Sequence, residues 1–255
     1  MATKEFKTII AGNDTLKQAK TNVIRLVGTD EYFIHIPKCG GTAVRDKLIT
    51  LSNDSIQKLE IVPAHNHSKI SDLKDIIPIR RSKFLVSVRN PIGRFHSAYN
   101  FLKDIDYREL RKVNPISDRH RLLLDRRNKM KSMGIEEFVK LLESENSKKK
   151  FREEWYSDEP LPNHFEWAFE LQSEWIKGSK KINYFQIETQ QIFEYLDTDF
   201  TYSKVKHYDR ELSLRSRDII HNYFIEDFRN FGYDFSDKYK QIVKLAELNS
   251  TITEA

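Results

Sequence analysis

The sequence predicts an α/β fold: a mainly parallel central sheet flanked by helices, with a helix-rich C-terminal part. Three short apolar runs, Tyr32–Ile36, Phe84–Val88 and Ile182–Ile187, have the length and the β-branched or aromatic content of buried strands. The first two are each followed by a sharp turn and then by helical periodicity, and strand–helix alternation of this kind builds parallel sheets. A chain of 255 residues fits one domain with a substantial core.

Taken in order, residues 1–28 show little pattern beyond "NVIRLV", expected as an edge strand or a packed N-terminal arm. After Gly41, residues Val44, Leu48 and Leu51 recur at i, i+4 and i+7 and form one core-facing stripe. Pro91 suits the first turn of a helix running to about Lys103. On that helix Ile92, Phe95, Tyr99 and Leu102 share the core face. Arg94 and Ser97, three apart, lie on the other side, towards which Phe101 also leans. Further helical patterns cover roughly 118–132, 135–144, 163–177, 189–196, 214–230 and 236–249. The polar, proline-ended stretch 144–162 reads as a connection, because another strand follows it. The expected organisation is a single domain over 1–255: an arm (1–28), a core (29–235) and a C-terminal helix and tail (236–255).

Composition narrows the function classes. Hydrophobic residues make up 39% and charged residues 32%, with a formal net charge of +5, which describes a soluble, charge-rich globular protein. Between Lys103 and Lys131 stand ten Lys/Arg against five Asp/Glu. Such a patch can attract an anionic partner, but a solvated helix face is the plainer reading, and no nucleic-acid partner is expected. Cys39 is the only cysteine, so an intrachain disulfide and a cysteine-rich zinc site are excluded. "MATKEFKTII" lacks the apolar core of a signal peptide, and nowhere do 18 apolar residues run together. The expectation is a cytoplasmic protein without a membrane span.

Two motifs carry chemistry. In "FIHIPKCGGTAV", residues 33–44, a strand runs into Pro37, Lys38, Cys39, Gly40 and Gly41, and then into a helix opened by Thr42 and Ala43. Glycines let the backbone approach a ligand closely, and opening amides favour an anion. Lys38 adds a mobile charge and Thr42 a hydroxyl. Yet the lysine precedes the glycines, the reverse of an ATP-binding loop. In "FLVSVRNPIGRFHSAY", residues 84–99, the strand–turn–helix design recurs, with Arg89 where an ATP-binding fold usually has a magnesium-binding aspartate. Arginine holds no metal but grips a phosphate bidentately. If the two strands are parallel neighbours, both loops leave the same sheet edge. Two anion sites and no evident metal site suit a nucleotide phosphorylated at two positions. Arg94 is open to ligand contact or to a structural ion pair.

These two motifs, in this order and spacing, resemble the cofactor signatures of the sulfotransferases, especially the carbohydrate-type group. "HFEWAFELQSEWI", "INYFQIETQQIFEYL" and "YFIEDFRNFGYDF" resemble later family segments more loosely, so the likeness covers roughly residues 32–235. The resemblance implies a P-loop-like fold and a donor, 3′-phosphoadenosine 5′-phosphosulfate (PAPS), used without a metal. It implies that residues 37–43 hold the 5′-phosphosulfate and that Arg89 and Ser97 hold the 3′-phosphate. It assigns Lys38 to the bridging oxygen, where negative charge grows as the S–O bond breaks. Cys39 departs from the more usual Thr or Ser; it is read as a loop residue, not a nucleophile.

The acceptor, expected to be a hydroxyl and first of all a carbohydrate one, must lose a proton, and histidine suits that task near neutral pH. Of eight histidines, the resemblance favours His67 in "PAHNHSKISDL", with His65 the rival. His35 is expected to be packed within its strand, and His164 to contact a helix end. Trp155, Trp167 and Trp175 are candidates to stack on sugar rings. A late basic stretch, "KVKHYDRELSLRSR", offers Arg210 or Arg215 for closing over the donor, or a solvated charge run. Competing readings are a P-loop kinase of a nucleotide or small molecule and a non-catalytic binder of anionic glycans.

Overall fold

In the computed structural model, residues 23–53, 58–62, 64, 68–104, 125, 128–144, 169–196 and 212–234 are described. Five strands form one mixed sheet: β1 (Val23–Leu26), β2 (Glu31–Ile34), β3 (Leu59–Ile61), β4 (Lys83–Val88) and β5 (Ile182–Gln186), in the order β3-β1-β2-β4-β5. β2, β4 and β5 are parallel neighbours, as the strand–helix alternation predicts. β1 is antiparallel to both β2 and β3. The α/β fold with a parallel core stands as expected, within a sheet that is mixed overall. One expectation is corrected: "NVIRLV" supplies an inner strand, between β3 and β2, and not an edge strand. The reason is the short connection from β1 to β2, four residues, which permits a hairpin but no parallel crossover. The edge role falls to β3, a three-residue strand.

The helices of the core are α1 (Gly41–Asn53), α2 (Pro91–Asp104), α3 (Ile135–Lys140), α4 (Gln172–Ile176), α5 (Gln191–Tyr195), α6 (Leu214–Tyr223) and α7 (Ile225–Asn230). Alternation along the strands splits the core into two layers. Phe33 and Leu85 pack with Val44 and Leu48 of α1 and Ile192 and Phe193 of α5. Tyr32, Ile34, Phe84, Val86 and Val88 pack on the other face with Ile70, Leu73 and Trp175. The predicted stripe of α2 is buried as expected: Phe95, Tyr99 and Leu102 join Phe138, Phe169 and Phe224 in a third, all-helical cluster. No helix among the described residues is long and apolar enough to cross a membrane.

The helix expected over 163–177 does not run through its described part. Leu171 is extended (φ −57°, ψ 136°) and α4 starts afresh at Gln172. The cause lies elsewhere in the chain: the Asp227 carboxylate accepts the N–H groups of Gln172 at 2.7 Å and Ser173 at 2.9 Å, capping the new helix from α7. The pattern over 214–230 likewise divides, at Phe224, into α6 and α7. The helix expected over 236–249 lies outside the described residues, as does most of 118–132 and of the connection 144–162.

Phe95 meets the rings of Phe138 at 5.9 Å and Phe169 at 5.2 Å between centroids, with no solvent exposure. Phe95→Ala should therefore lower unfolding free energy by about 3–5 kcal/mol, read from the urea midpoint. A loss below about 1 kcal/mol would contradict this packing.

Candidate active site

The first loop begins where β2 leaves the ladder after Ile34. Lys38 (φ 67°) and Gly40 (φ 78°) both take left-handed backbone conformations, which turn the chain within four residues into α1. A lysine held there carries a local strain of about 1 kcal/mol. Neither glycine tolerates a side chain. A Cβ on Gly40 would lie 2.7 Å from Ile187 Cγ1, and one on Gly41 would lie 2.0 Å from His35 Cδ2. His35 is thus packed against the loop, in keeping with its expected structural role. Ala43 N–H and Val44 N–H already bond Gly40 C=O at 2.9 and 3.3 Å. The amides of Gly41 and Thr42 precede that first bond, and Thr42 is exposed.

The second loop begins at the end of β4. Asn90 caps α2: its Oδ1 accepts Ile92 N–H at 3.0 Å, with Pro91 at the first helical position, where no N–H is needed. Glu188 holds the same turn, accepting Asn90 N–H at 2.9 Å and the Tyr233 hydroxyl at 2.9 Å. Arg89, only 7% exposed, reaches back to the first loop, its Nη1 lying 3.4 Å from Lys38 C=O. Arg94, 1% exposed, donates from Nε to Pro37 C=O at 3.0 Å and from Nη1 to Glu170 C=O at 2.5 Å. The two loops are therefore in direct contact, and two guanidiniums lie against the backbone of the first.

A third layer supports both. Gln172 Oε1 accepts Arg89 N–H at 2.9 Å and the Cys39 thiol at 2.9 Å, while its Nε2 donates to Arg89 C=O at 2.8 Å. Gln172, Asp227 and Glu188 were not among the residues the sequence singled out. Gln172 does lie within "HFEWAFELQSEWI", but a glutamine in an amphipathic pattern gives no sign of the distant backbone it will bond.

Electrostatics follow from this burial. Lys38 is held below its ordinary range, at about 8, first by burial and next by the Arg89 guanidinium. Its ammonium rests 4.1 Å from the centroid of Phe101, a ring that remains 40% exposed. Burial pushes the Cys39 thiol up to about 12, against the pull of Arg94 and Arg89. Burial also raises Asp227, against the opposing charge of Arg94.

The structure brings Pro37, Lys38, Cys39, Gly40, Gly41, Thr42, Ala43, Arg89 and Arg94 to one end of the sheet. Ser97 stands half-buried on α2, one turn beyond Arg94. The Arg94 guanidinium thus meets backbone carbonyls of two segments. Arg215 lies on the exposed surface, ion-paired with Glu143, and Trp175 is fully buried, so it offers no ring to a sugar. His65, His67, Arg210, His164, Trp155 and Trp167 lie outside the described residues. Among the described residues no group of three or more His, Cys, Asp or Glu could hold a metal ion.

The fold is therefore that of an α/β protein whose glycine-bearing and arginine-bearing turns meet at the ends of neighbouring parallel strands, a candidate anion site. The model of the sulfotransferase family matches residues 32–234. The chain belongs to that family, whose members are enzymes that use PAPS. No curated protein and no solved structure matches it.

With a pKa of about 12, on the order of one Cys39 thiol in ten thousand is ionised at pH 8. The native protein should therefore resist a thiol-specific alkylating reagent at that pH, while the urea-unfolded chain reacts fully. Equal rates in the two states would contradict the burial.

Proposed function

We propose that this chain transfers the sulfuryl group of PAPS to a hydroxyl of a carbohydrate. The observation that carries the reading is the contact between the two anion loops, with Arg89 Nη1 3.4 Å from Lys38 C=O. Both positions that the donor's two anionic ends require are present, one on each loop. The opening amides of Gly41 and Thr42, with Lys38, would hold the 5′-phosphosulfate. Arg89 and Ser97 would hold the 3′-phosphate. PAPS supplies a sulfuryl group on a good leaving group, so the protein's task is positioning and charge neutralisation.

Lys38 is the electrophilic group. Its ammonium rests on the Phe101 face, a weak cation–π contact of roughly 1 kcal/mol. An anion has to beat little to draw it away. Placed at the bridging oxygen, the ammonium stabilises charge that is larger in the transition state than in the ground state. His67 is proposed to take the acceptor's proton, with His65 the rival. Two residues on in the chain stands Lys69, which is described. Lys69 ion-pairs with Glu170, and Glu170 C=O accepts from Arg94, which bonds Pro37. The exposed ring of Phe101 beside Lys38 is an apolar platform suited to the C–H face of a sugar. No step in this scheme calls for a metal, and a cytoplasmic location remains part of the proposal.

Incubation with labelled PAPS and a panel of glycans, lipids and phenols tests the reading. Transfer to glycans is expected, and label moving only from ATP in the presence of magnesium would overturn it. Lys38→Ala should lower kcat by about a thousandfold, and His67→Ala by about 10²–10⁴-fold. Arg89→Ala should chiefly raise KM for PAPS. Full activity of His67→Ala with loss in His65→Ala would move the base to His65.

The pH profile follows from Lys38. In the free enzyme its pKa of about 8 means that the cationic form, the one that meets the donor, is lost as pH rises above that value. Donor binding is then accompanied by proton uptake, and kcat/KM for PAPS should fall about tenfold per pH unit above pH 8. Lys38→Arg should remove that descending limb. A profile flat to pH 10 in the unsubstituted enzyme would contradict the assignment.

A further inference from the structure

We propose that Gln172 is a positioning residue that fixes the separation of the two anion loops, so that one donor molecule can engage both at once. The inference rests on the donor reading above and adds to it the part that sets the spacing.

The backbone just beyond the end of β4 needs hydrogen-bond partners that the sheet does not supply. The β2–β4 ladder ends at Ile34↔Val86 and the β4–β5 ladder at Val88↔Gln186. Arg89, the next residue, is 7% exposed, and its N–H and C=O must still find partners. One primary amide serves both: Gln172 Oε1 takes the N–H at 2.9 Å and Nε2 gives to the C=O at 2.8 Å. That pair of bonds also fixes which end of the amide is oxygen. The side chain thus stands where a further strand residue would be, and holds the backbone that presents the Arg89 guanidinium.

The same oxygen has a second lone pair, and it receives the Cys39 thiol at 2.9 Å. Cys39 lies between Lys38 and Gly40, so a single atom of Gln172 is bonded by both loops. Their backbones can separate only by breaking one of these bonds. Gln172 is itself fixed, since its N–H bonds Asp227 Oδ2 at 2.7 Å and neither residue is exposed to solvent. A fully satisfied buried network of this kind has one low-energy geometry. It also gives Cys39 a role: its side chain is the donor that ties the first loop to the amide.

A spacing role has a signature that general destabilisation lacks. A ligand with anions at both ends of the ribose gains from correct loop separation; a ligand with one anion does not. The test compares 3′-phosphoadenosine 5′-phosphate with adenosine 5′-phosphate by calorimetric titration, in the unsubstituted protein, Gln172→Glu and Cys39→Ala. The Gln172→Glu carboxylate keeps an acceptor for Arg89 N–H but turns an oxygen, not a donor, towards Arg89 C=O. The affinity ratio of the two ligands should fall about tenfold at pH 7.5. It should recover as pH is lowered to 5.5, where the protonated carboxyl group can donate again. At saturating PAPS kcat should stay within about threefold, and the acceptor KM should not move. Cys39→Ala, which removes one bond and no backbone partner, should lower the ratio by about threefold.

A ratio unchanged in both variants, each shown folded by its thermal melt, would overturn the inference. If Gln172→Glu does not fold, the Cys39→Ala ratio decides alone. If the unsubstituted protein binds both ligands equally well, the two-loop donor reading itself fails, a result distinct from failure of the spacing role.

Discussion

Everything at this site depends on the parallel pairing of β2 and β4. Their register, Glu31↔Lys83 through Ile34↔Val86, brings the C-terminal ends of the two strands side by side. At the start of the strands an ion pair between the register partners Glu31 and Lys83, 2.7 Å apart, supports that alignment. A slip by one residue would exchange the faces of the sheet, burying Phe33 with the wrong helices and aiming the two turns apart. Parallel strands end at a common edge, so the backbone turns of Pro37–Gly41 and Arg89–Asn90 meet there without long connecting loops.

The cost of this arrangement is electrostatic. Lys38, Arg89 and Arg94 crowd together at a place with little access to water, and burial first, then repulsion from Arg89, lower the pKa of Lys38. Two carboxylates offset it without filling the ligand's place. Asp227 bonds the amides of α4 and feels the charge of Arg94, and Glu188 holds the turn at Asn90. Tyr233, bonded to Glu188, is pushed far above its ordinary range by burial and by that carboxylate, and so remains a neutral donor. The carboxylates act on the backbone of α4 and of the turn at Asn90, while Arg89 and Arg94 bond carbonyls of the first loop. A pre-paid charge imbalance of this kind favours a dianionic ligand and needs little rearrangement when it binds.

How much of this was legible in the sequence divides along a physical line. The strands of the parallel part, the two turns and the buried stripe of α2 follow from local chemistry: β-branched runs, Gly-Gly, Asn-Pro and i, i+4 spacing. They stand where the sequence put them. What the sequence did not disclose is long-range hydrogen bonding. Gln172 bonds backbone and thiol more than eighty residues away in the chain, and Asp227 starts a helix it does not belong to. The inner position of β1 was hidden for a similar reason, since a four-residue run such as VIRL looks the same at an edge and inside a sheet. Arg94 was legible as a residue of two possible uses, but its bonds to the carbonyls of Pro37 and Glu170 were not.

The central claim is geometric: one bis-anionic adenosine nucleotide spans both turns. The most direct measurement is a crystal structure with 3′-phosphoadenosine 5′-phosphate bound. The account predicts the 5′-phosphate at the Gly41 and Thr42 amides beside Lys38, with the 3′-phosphate on Arg89. Both phosphates gathered on one turn, or the nucleotide bound away from the ends of β2 and β4, would contradict it.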